Sequence, residues 1–466
     1  MFMTLLIVRA NMKKWYLVSN GNKKADGIVK KAVEKYINIH VVSVGDVTEA
    51  LECQNLILVG VHSEEAPING YRIRSYEGNY NNRIISLSGY DYVNELYAAV
   101  DFENKYLVKA ENADVHTPIY YFNKLFKDEM PDFDQSFTPH IKDRALWSWG
   151  YVIYDYKGYM DNMLRLKLNM LVIWNDYIPD NANEIVAYAH ECGIKVIWGY
   201  AWGWDVKCGE IDLNLINQIS DKAIEDYEKV YSNIMSDGIY FQTFTEISED
   251  NINGIVVADA AVELVNMTSN KLLEKYPDMN IQFGLHATSV NTRLDTIKKT
   301  DPRVTILWED CGAFPFAYIP KKTDNFDDTK KFVEQIKNLR DAGFGCLFKG
   351  MTALDWSTFV HQKGRFVLGE ESAYALYDKL KEKEKIWKYI QAYWISNIDY
   401  VADIVKMLDP DTLVGALVED GLFDIKMWYP VALYSELLWN PFRSTREILS
   451  ETALIPSVAF AGDDTI

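Results

Sequence analysis

The sequence predicts a (β/α)8 barrel preceded by a small α/β domain, and three observations support this fold class. From about residue 143, apolar runs of strand length alternate with helical patterns seven times in succession. The runs are apolar throughout, as expected of parallel strands that are buried on both faces. Seven consecutive units exceed what most doubly wound sheets contain, so a closed barrel is favoured. With 466 residues, the chain is also long enough for a second domain in front of the barrel.

The small α/β domain is predicted over residues 1–125. A turn rich in Gly and Asn is expected between its last two strands. Residues 126–142, which are rich in Pro and Asp, are predicted to be a linker. The predicted strands of this domain cover residues 14–19, 40–44, 55–61, 70–76 and 83–88, and its helices cover residues 25–36 and 92–102.

The barrel is predicted over residues 143–450, followed by a C-terminal tail at 451–466. A long helical insertion is expected at about 371–408, before the eighth strand and the final helix at 429–439. The predicted strands cover residues 145–153, 169–174, 195–200, 238–244, 280–285, 304–308, 343–348 and 412–417. The helices between them are predicted at 159–168, 182–192, 213–235, 255–276, 291–299 and 328–342.

Composition excludes several classes of protein and of site. The formal net charge is 48 − 67 = −19, which repels a nucleic-acid backbone. Five widely spaced cysteines without a CxxC pair argue against a disulfide framework and a zinc site, and favour a reducing compartment. No apolar run is long enough for a membrane span or a signal peptide. We therefore expect a cytoplasmic protein without metal, cofactor, nucleic acid or membrane; a homo-oligomer is left open.

Carboxylates, indoles and other polar side chains recur where the predicted barrel strands end, the level at which such barrels carry their functional residues. This repeated position is informative, whereas each residue alone is not. The candidates at this level are Trp147, Trp149, Trp174, Asn175, Asp176, Tyr200, Trp202, Trp204, Thr245, Glu246, His286, Trp308, Glu309, Asp310, Lys349 and Trp356.

Such a set of side chains suits a sugar. A pyranose has apolar C–H faces that stack on indoles, and hydroxyl groups that bond carboxylates, amides and imidazoles. Cleavage of a glycosidic bond needs two carboxyl groups on either side of the anomeric carbon. Glu246 is the predicted general acid, and Glu309 or Asp310 the predicted base or nucleophile.

Each of these residues also has a structural alternative. Glu246 would cap the next helix, and Glu309 and Asp310 would form a salt bridge within the barrel. His286 would be an ordinary rim histidine, and Asp176 would order a loop.

Three segments resemble known glycoside hydrolases. Residues 144–176 are similar to the barrel opening of family 20 β-hexosaminidases, with the helix element Met163-Leu164-Arg165-Leu166-Lys167-Leu168-Asn169. Residues 70–102 resemble the end of the α/β domain that precedes the barrel in families 20, 84, 67 and 115. Residues 432–444 resemble the last barrel helix of the family 84 group. The resemblance implies the same two-domain fold and a carbohydrate substrate, either an oligosaccharide or a simpler glycoside.

The sequence departs from families 20 and 84 at the end of the fourth strand. Those enzymes carry two adjacent acids there, whereas this chain carries Thr245 and Glu246. A threonine cannot supply the negative charge that stabilises a reacting acetamido group. The α-glucuronidases of families 67 and 115 need no such group, and the resemblance to them implies an inverting enzyme. Lys349 and Arg144 are then the candidates to bind a uronic carboxylate, and a neutral glycoside remains open.

Three hypotheses follow. The first is a glycoside hydrolase that acts on a terminal sugar, such as a glucuronosyl or hexosamine unit. The second is a substrate-assisted N-acetyl-β-hexosaminidase in which Asp176 or Asp310 replaces the missing acid. The third is a non-catalytic carbohydrate-binding protein on a hydrolase scaffold.

Overall fold

The structure is a computed structural model, and it divides into two compact units. By the contacts within the chain, one unit is Met1–Pro139 with Ser450–Ile466 and the other is His140–Leu449. The residues that the structure describes are 15–34, 39–43, 55–114, 117–122, 132–203, 212–245, 250–286, 290–309, 326–352, 362–418, 422–425, 427–453, 455 and 458.

The first unit is built on a six-stranded mixed sheet with the strand order β2-β1-β3-β5-β4-β8. Its strands are β1 (Trp15–Ser19), β2 (Ile39–Ser43), β3 (Asn55–Val59), β4 (Tyr71–Glu77), β5 (Arg83–Gly89) and β8 (Phe133–Phe137), with β6 (Val108–Asp114) and β7 (Thr117–Phe122) in a separate hairpin. Strand β4 runs antiparallel to both of its neighbours, and the other pairs are parallel. The helices are α1 (Lys23–Glu34) and α2 (Tyr92–Asp101). All five strands and both helices predicted here are present.

Strand β8 lies within the segment predicted to be a linker. It pairs with the edge of the sheet along β4, where Asp134 accepts hydrogen bonds from Arg72 at 2.5 and 2.7 Å. The ring of Phe133 stacks on Tyr106 with centroids 4.3 Å apart. Its three central residues are exposed, so the strand lacks the buried apolar pattern from which strands are predicted.

The second unit contains a closed barrel of eight parallel strands, which confirms the predicted (β/α)8 fold. The strands are β9 (Asp143–Trp149), β10 (Met170–Trp174), β11 (Lys195–Gly199), β12 (Gly238–Phe241), β15 (Asn280–Leu285), β16 (Val304–Trp308), β17 (Phe344–Met351) and β18 (Leu413–Val418). A short hairpin of β13 (Asn251–Ile252) and β14 (Ile255–Val256) follows β12. Strand β18, the predicted eighth strand, pairs with both β17 and β9 and so closes the barrel.

Helices lie between the barrel strands along the chain or follow the last of them. They are α3 (Tyr156–Arg165), α4 (Ala182–Glu191), α5 (Leu213–Asp226), α6 (Val257–Lys275), α7 (Leu294–Ile297), α8 (Phe326–Lys337), α9 (Ala373–Met407), α10 (Leu422–Ile425), α11 (Tyr429–Trp439) and α12 (Thr445–Ala453). Helix α9 is the predicted insertion, and non-helical dihedral angles at Asn397 divide it into two sections. Among the described helices, none combines the length and apolarity needed to cross a bilayer.

Side chains alternate between the barrel interior and the surrounding helices, because successive residues of a strand point to opposite faces. A buried apolar cluster fills the interior and includes Leu307 of β16 and Leu347 of β17. Two residues further on, Glu309 and Lys349 therefore point to the same interior at the C-terminal end of the barrel. This end is where the sequence predicts the functional site.

Candidate active site

Four aromatic rings form one side of the barrel interior, which we call the aromatic arc: Trp147, Trp149, Trp174 and Tyr240. The Trp147 and Trp149 rings meet edge to face, with centroids 4.6 Å apart. The Tyr240 ring packs edge to face against Trp147 at 5.7 Å and against Trp174 at 5.8 Å. Strands β9, β10 and β12 thus supply four buried aromatic rings, which are 0–9% exposed, near the level where the strands end.

Glu309 is the centre of a buried network of hydrogen bonds and charges, which we call the Glu309 network. Its Oε1 accepts hydrogen bonds from the Tyr240 hydroxyl and from Gln242 Nε2, each at 2.5 Å. Its Oε2 accepts from Lys349 Nζ and lies 3.2 Å from His286 Nε2. The five side chains come from β12, β15, β16 and β17 or the residues just after them. Tyr240 belongs to both groups, since its ring lies in the aromatic arc and its hydroxyl in the network.

The network keeps Glu309 ionised. The side chain is only 4% exposed, and burial alone would raise the pKa of its carboxyl group. The charges of Lys349 and His286, together with their hydrogen bonds, outweigh burial and hold the pKa of Glu309 well below its ordinary value. A carboxylate with so low a pKa and four hydrogen-bond donors around it holds charge well, but it accepts a proton poorly.

Two backbone features make room for the network. A Cβ atom on Gly284 of β15 would lie 1.9 Å from the Tyr240 hydroxyl and 2.8 Å from Glu309 Oε1, so only glycine fits there. The pairing register between β17 and β18 shifts between Phe348 and Met351, and Lys349 lies within this interval. Such irregularities re-aim a side chain beside a functional site.

Several predicted site residues lie together at this end of the barrel. Trp147, Trp149 and Trp174 belong to the aromatic arc, and His286, Glu309 and Lys349 belong to the Glu309 network. Asn175 follows Trp174 and is buried. Asp176 is exposed and accepts a hydrogen bond from the backbone of Gln362 at 2.8 Å, so it orders a loop. Thr245 is 2% exposed.

Arg144 was predicted to bind substrate, but it lies near the start of β9, at the opposite end of the barrel. Its guanidinium donates to the carbonyl groups of Ile141, Lys142 and Lys167 at 2.7–2.8 Å. It also lies 5.0 Å from the centre of the Trp439 ring. A side chain that is 1% exposed and satisfied by backbone carbonyls fastens the base of the barrel instead.

Three predicted aromatic residues face the helices rather than the barrel interior. The Tyr200 hydroxyl donates to the carbonyl of Ala223 in α5. The Trp202 ring stacks on Phe241 with centroids 3.6 Å apart. Trp308 meets Phe332 of α8 at 6.4 Å, as expected from its position between the inward Leu307 and Glu309. These three rings are part of the layer between barrel and helices.

Four further predicted residues lie outside the described residues: Trp204, Glu246, Asp310 and Trp356. The structure also adds two residues that the sequence analysis missed, Tyr240 and Gln242. Both follow from the period of two along β12, which directs residues 238, 240 and 242 to one face. Among the described residues, no group of three His, Cys, Asp or Glu side chains is placed to hold a metal ion.

No protein-family model matches the sequence, and no curated protein is similar to it. Solved structures do resemble it. The GH20 β-N-acetylhexosaminidase from Streptomyces coelicolor A3(2) matches with a TM-score of 0.50 and 10% identity, over 94% of this chain and 90% of that one. CpGH84D matches 72% of this chain, with a TM-score of 0.43 and 13% identity, and the chain spans 57% of its length. A further β-N-acetylhexosaminidase has a TM-score of 0.39 and 11% identity, over 83% and 87% of the two chains. The first of these matches shows that the chain shares the fold of that β-N-acetylhexosaminidase.

Proposed function

We propose that the protein is a glycoside hydrolase that removes a terminal sugar. One observation carries the proposal: the aromatic arc and the Glu309 network meet at Tyr240, at the C-terminal end of a (β/α)8 barrel. The arc supplies aromatic rings of the kind that pack on the apolar face of a sugar, and the network supplies hydrogen-bond donors and acceptors of the kind that bind its hydroxyl groups.

The acid and base roles follow from the chemistry of the individual carboxyl groups. Glu246 follows strand β12 and is the proposed general acid, which protonates the leaving oxygen. Glu309 has a low pKa and four donors around it, so it accepts a proton poorly and instead positions Lys349 and His286. The role of base or nucleophile then passes to Asp310, its neighbour in sequence.

The same pairing bears on the choice between a neutral sugar and a uronic acid. An α-glucuronidase needs a cation for the carboxylate of its substrate. Lys349, one candidate, is an ion-pair partner of Glu309, and Arg144, the other, lies at the opposite end of the barrel. This favours a neutral sugar and makes the glucuronidase-like form the weaker version of the proposal.

The experiment that tests the proposal is Glu246→Gln, assayed on two aryl glycosides that differ in leaving group. If Glu246 is the acid, kcat/KM falls about 10²–10⁴-fold for a poor leaving group such as phenol. It falls far less for dinitrophenol, which departs without protonation. Glu249→Gln, three residues later, is the matched control and should keep wild-type rates on both.

Three outcomes would count against it. Equal losses on both leaving groups would remove the acid role of Glu246. Hydrolysis of 2-acetamido aryl glycosides alone would replace the proposal with the substrate-assisted hexosaminidase. Binding of a sugar that survives prolonged incubation with the wild-type protein would leave a carbohydrate-binding protein.

A further inference from the structure

Residues 362–371, which we call the strap, run along the C-terminal rim of the barrel and are fastened to the loop after β10. The backbone N–H of Gln362 donates to Asp176 Oδ2 at 2.8 Å. The Asn181 amide pairs with the backbone of Leu368 in both directions, at 2.9 and 3.0 Å. The strap therefore holds a defined position against this loop.

The strap then reaches the loop after β9. The backbone N–H of Tyr156 donates to the carbonyl of Gly369 at 3.1 Å. The N–H of Glu371 donates to the carbonyl of Tyr154 at 2.9 Å. The strap thus borders the two strands, β9 and β10, that supply the three tryptophans of the aromatic arc.

The hydrogen bond that joins the strap to the β10 loop links Gln362 to Asp176, and each side of it has a carboxamide residue. Asn175 precedes Asp176, and Gln362 begins the strap. The oxygen and the nitrogen of both amides are buried, and none of these four atoms has a hydrogen-bond partner within the described chain. Asn175 is 6% exposed and lies against Gly150, where a Cβ atom would come 1.5 Å from its Oδ1.

Buried amides without partners are costly, and native structures rarely keep them unless something else satisfies them. A carboxamide donates through its nitrogen and accepts through its oxygen, and a hydroxyl group also does both. We propose that Asn175 and Gln362 form a subsite that binds hydroxyl groups of a neutral sugar, beside Trp174. This inference rests on the proposed function and adds the substrate class.

The local charge selects against an anionic sugar at this subsite. A carboxylate accepts from the two amide nitrogens but leaves both amide oxygens without a donor, whereas a hydroxyl group satisfies either atom. It would also approach the carboxylates of Asp176 and Asp180 on the same loop, of which Asp180 is paired with Arg365. A neutral hydroxyl group avoids both the unpaired amide oxygens and the charge repulsion.

The test measures binding by calorimetry, without turnover. The probes are the α- and β-methyl glycosides of glucose, galactose and mannose, the monodeoxy derivatives of the tightest of them, and methyl β-D-glucuronide. The proteins are the wild type, Asn175→Ala, Gln362→Ala and Asn181→Ala. The last variant loosens the strap and leaves both proposed amides in place.

For wild type, we expect one or two deoxy derivatives to bind about tenfold more weakly than the parent glycoside. In Asn175→Ala or Gln362→Ala, the parent glycoside should bind only as tightly as the deoxy derivative binds to the wild type. Removing the hydroxyl group from the glycoside should then cause no further loss of affinity. Asn181→Ala should weaken parent and derivative by the same factor. The glucuronide should bind less tightly than the neutral glycoside.

The inference is overturned if the deoxy loss persists unchanged in both amide variants, if the glucuronide binds more tightly, or if no methyl glycoside binds. If the wild type hydrolyses aryl glycosides but the amide variants still lose affinity when the hydroxyl group is removed, this inference alone is overturned. If the amide substitutions abolish the effect of removing the hydroxyl group but no glycoside is hydrolysed, the subsite is supported and the proposed hydrolase is overturned.

Discussion

Glu309 shows how one residue sets the electrostatics of the barrel mouth. Its buried carboxylate is acceptable only because Lys349, His286, Tyr240 and Gln242 surround it. Removing one member of such a group leaves an unpaired buried charge, which costs about 3–5 kcal/mol. Single substitutions in the network should therefore destabilise the protein strongly, whereas substitutions that remove both partners should destabilise it little.

We expect Glu309→Gln and Lys349→Met each to lower the free energy of unfolding by about 3–5 kcal/mol. The double variant, which buries neither charge, should lose much less than the sum of the two. Denaturant unfolding at neutral pH measures all four proteins of the cycle. Strictly additive losses would show that the ion pair does not exist in solution.

The same cycle has a pH dependence of defined sign. Because the pKa of Glu309 is lowered in the folded state, its contribution is complete above the pKa of an unfolded glutamate, about 4.3. It is lost as the pH falls through the lower folded value. The deficit of Glu309→Gln should therefore be constant around neutral pH and shrink in acid.

Gly284 permits the contact between Tyr240 and Glu309, so Gly284→Ala should disrupt the site. The added methyl group would displace both side chains, and a displacement of about 1 Å can cost about 10²-fold in rate. Gly415→Ala on β18 is the matched control, because its Cβ would meet the flexible side chain of Leu347 at 3.1 Å. Similar kcat/KM values for the two variants on an aryl glycoside would contradict this role of Gly284.

Among the elements, β17 and α9 together place Lys349. The register shift in β17 interrupts the regular pairing, and Trp394 of α9 donates its indole N–H to the carbonyl of Gly350 at 3.0 Å. Trp394 is completely buried. The helix thus satisfies a backbone group next to Lys349 and holds the irregular strand in its shape.

Trp394→Phe should keep the fold and loosen this part of β17. Loss of one hydrogen bond to a buried carbonyl costs about 1–3 kcal/mol, and kcat/KM should fall because Lys349 is no longer fixed. Trp387→Phe, seven residues earlier on the same helix, is the control and should affect the rate less. An unchanged rate in Trp394→Phe would separate the position of Lys349 from this helix.

The elements of this molecule could be predicted from the sequence more fully than its site. Continuous apolar runs mark buried parallel strands, so even β18 was predicted within one residue at each end. Strand β8 was missed because its exposed residues lack that pattern. In the site, Tyr200 and Trp308 were misassigned because a residue's position near a strand end does not give its direction. The pairing of Lys349 with Glu309 depends on neighbouring strands 40 residues apart, which no local pattern encodes.

At the scale of the whole molecule, the net charge of −19 makes a prediction about substrates. Such a charge repels an anionic glycoside at long range, and about 150 mM salt screens the repulsion beyond about 8 Å. Raising the ionic strength from about 10 mM to about 150 mM should raise kcat/KM for an aryl glucuronide. The value for a neutral aryl glycoside should hardly change. Equal responses to salt would show that the protein's overall field does not reach the site.

The division of the barrel mouth into an aromatic arc and an ionic network has a stereochemical consequence. In the proposed enzyme, a sugar ring bound between them would turn its C–H face to the indoles of β9 and β10 and its oxygen-rich edge to the side chains of β12 through β17. An epimer that raises an axial hydroxyl on the indole side would lift the ring off that surface. The affinity for a sugar would thus depend on its configuration at single carbon atoms, because that configuration decides how closely the ring packs against the indoles.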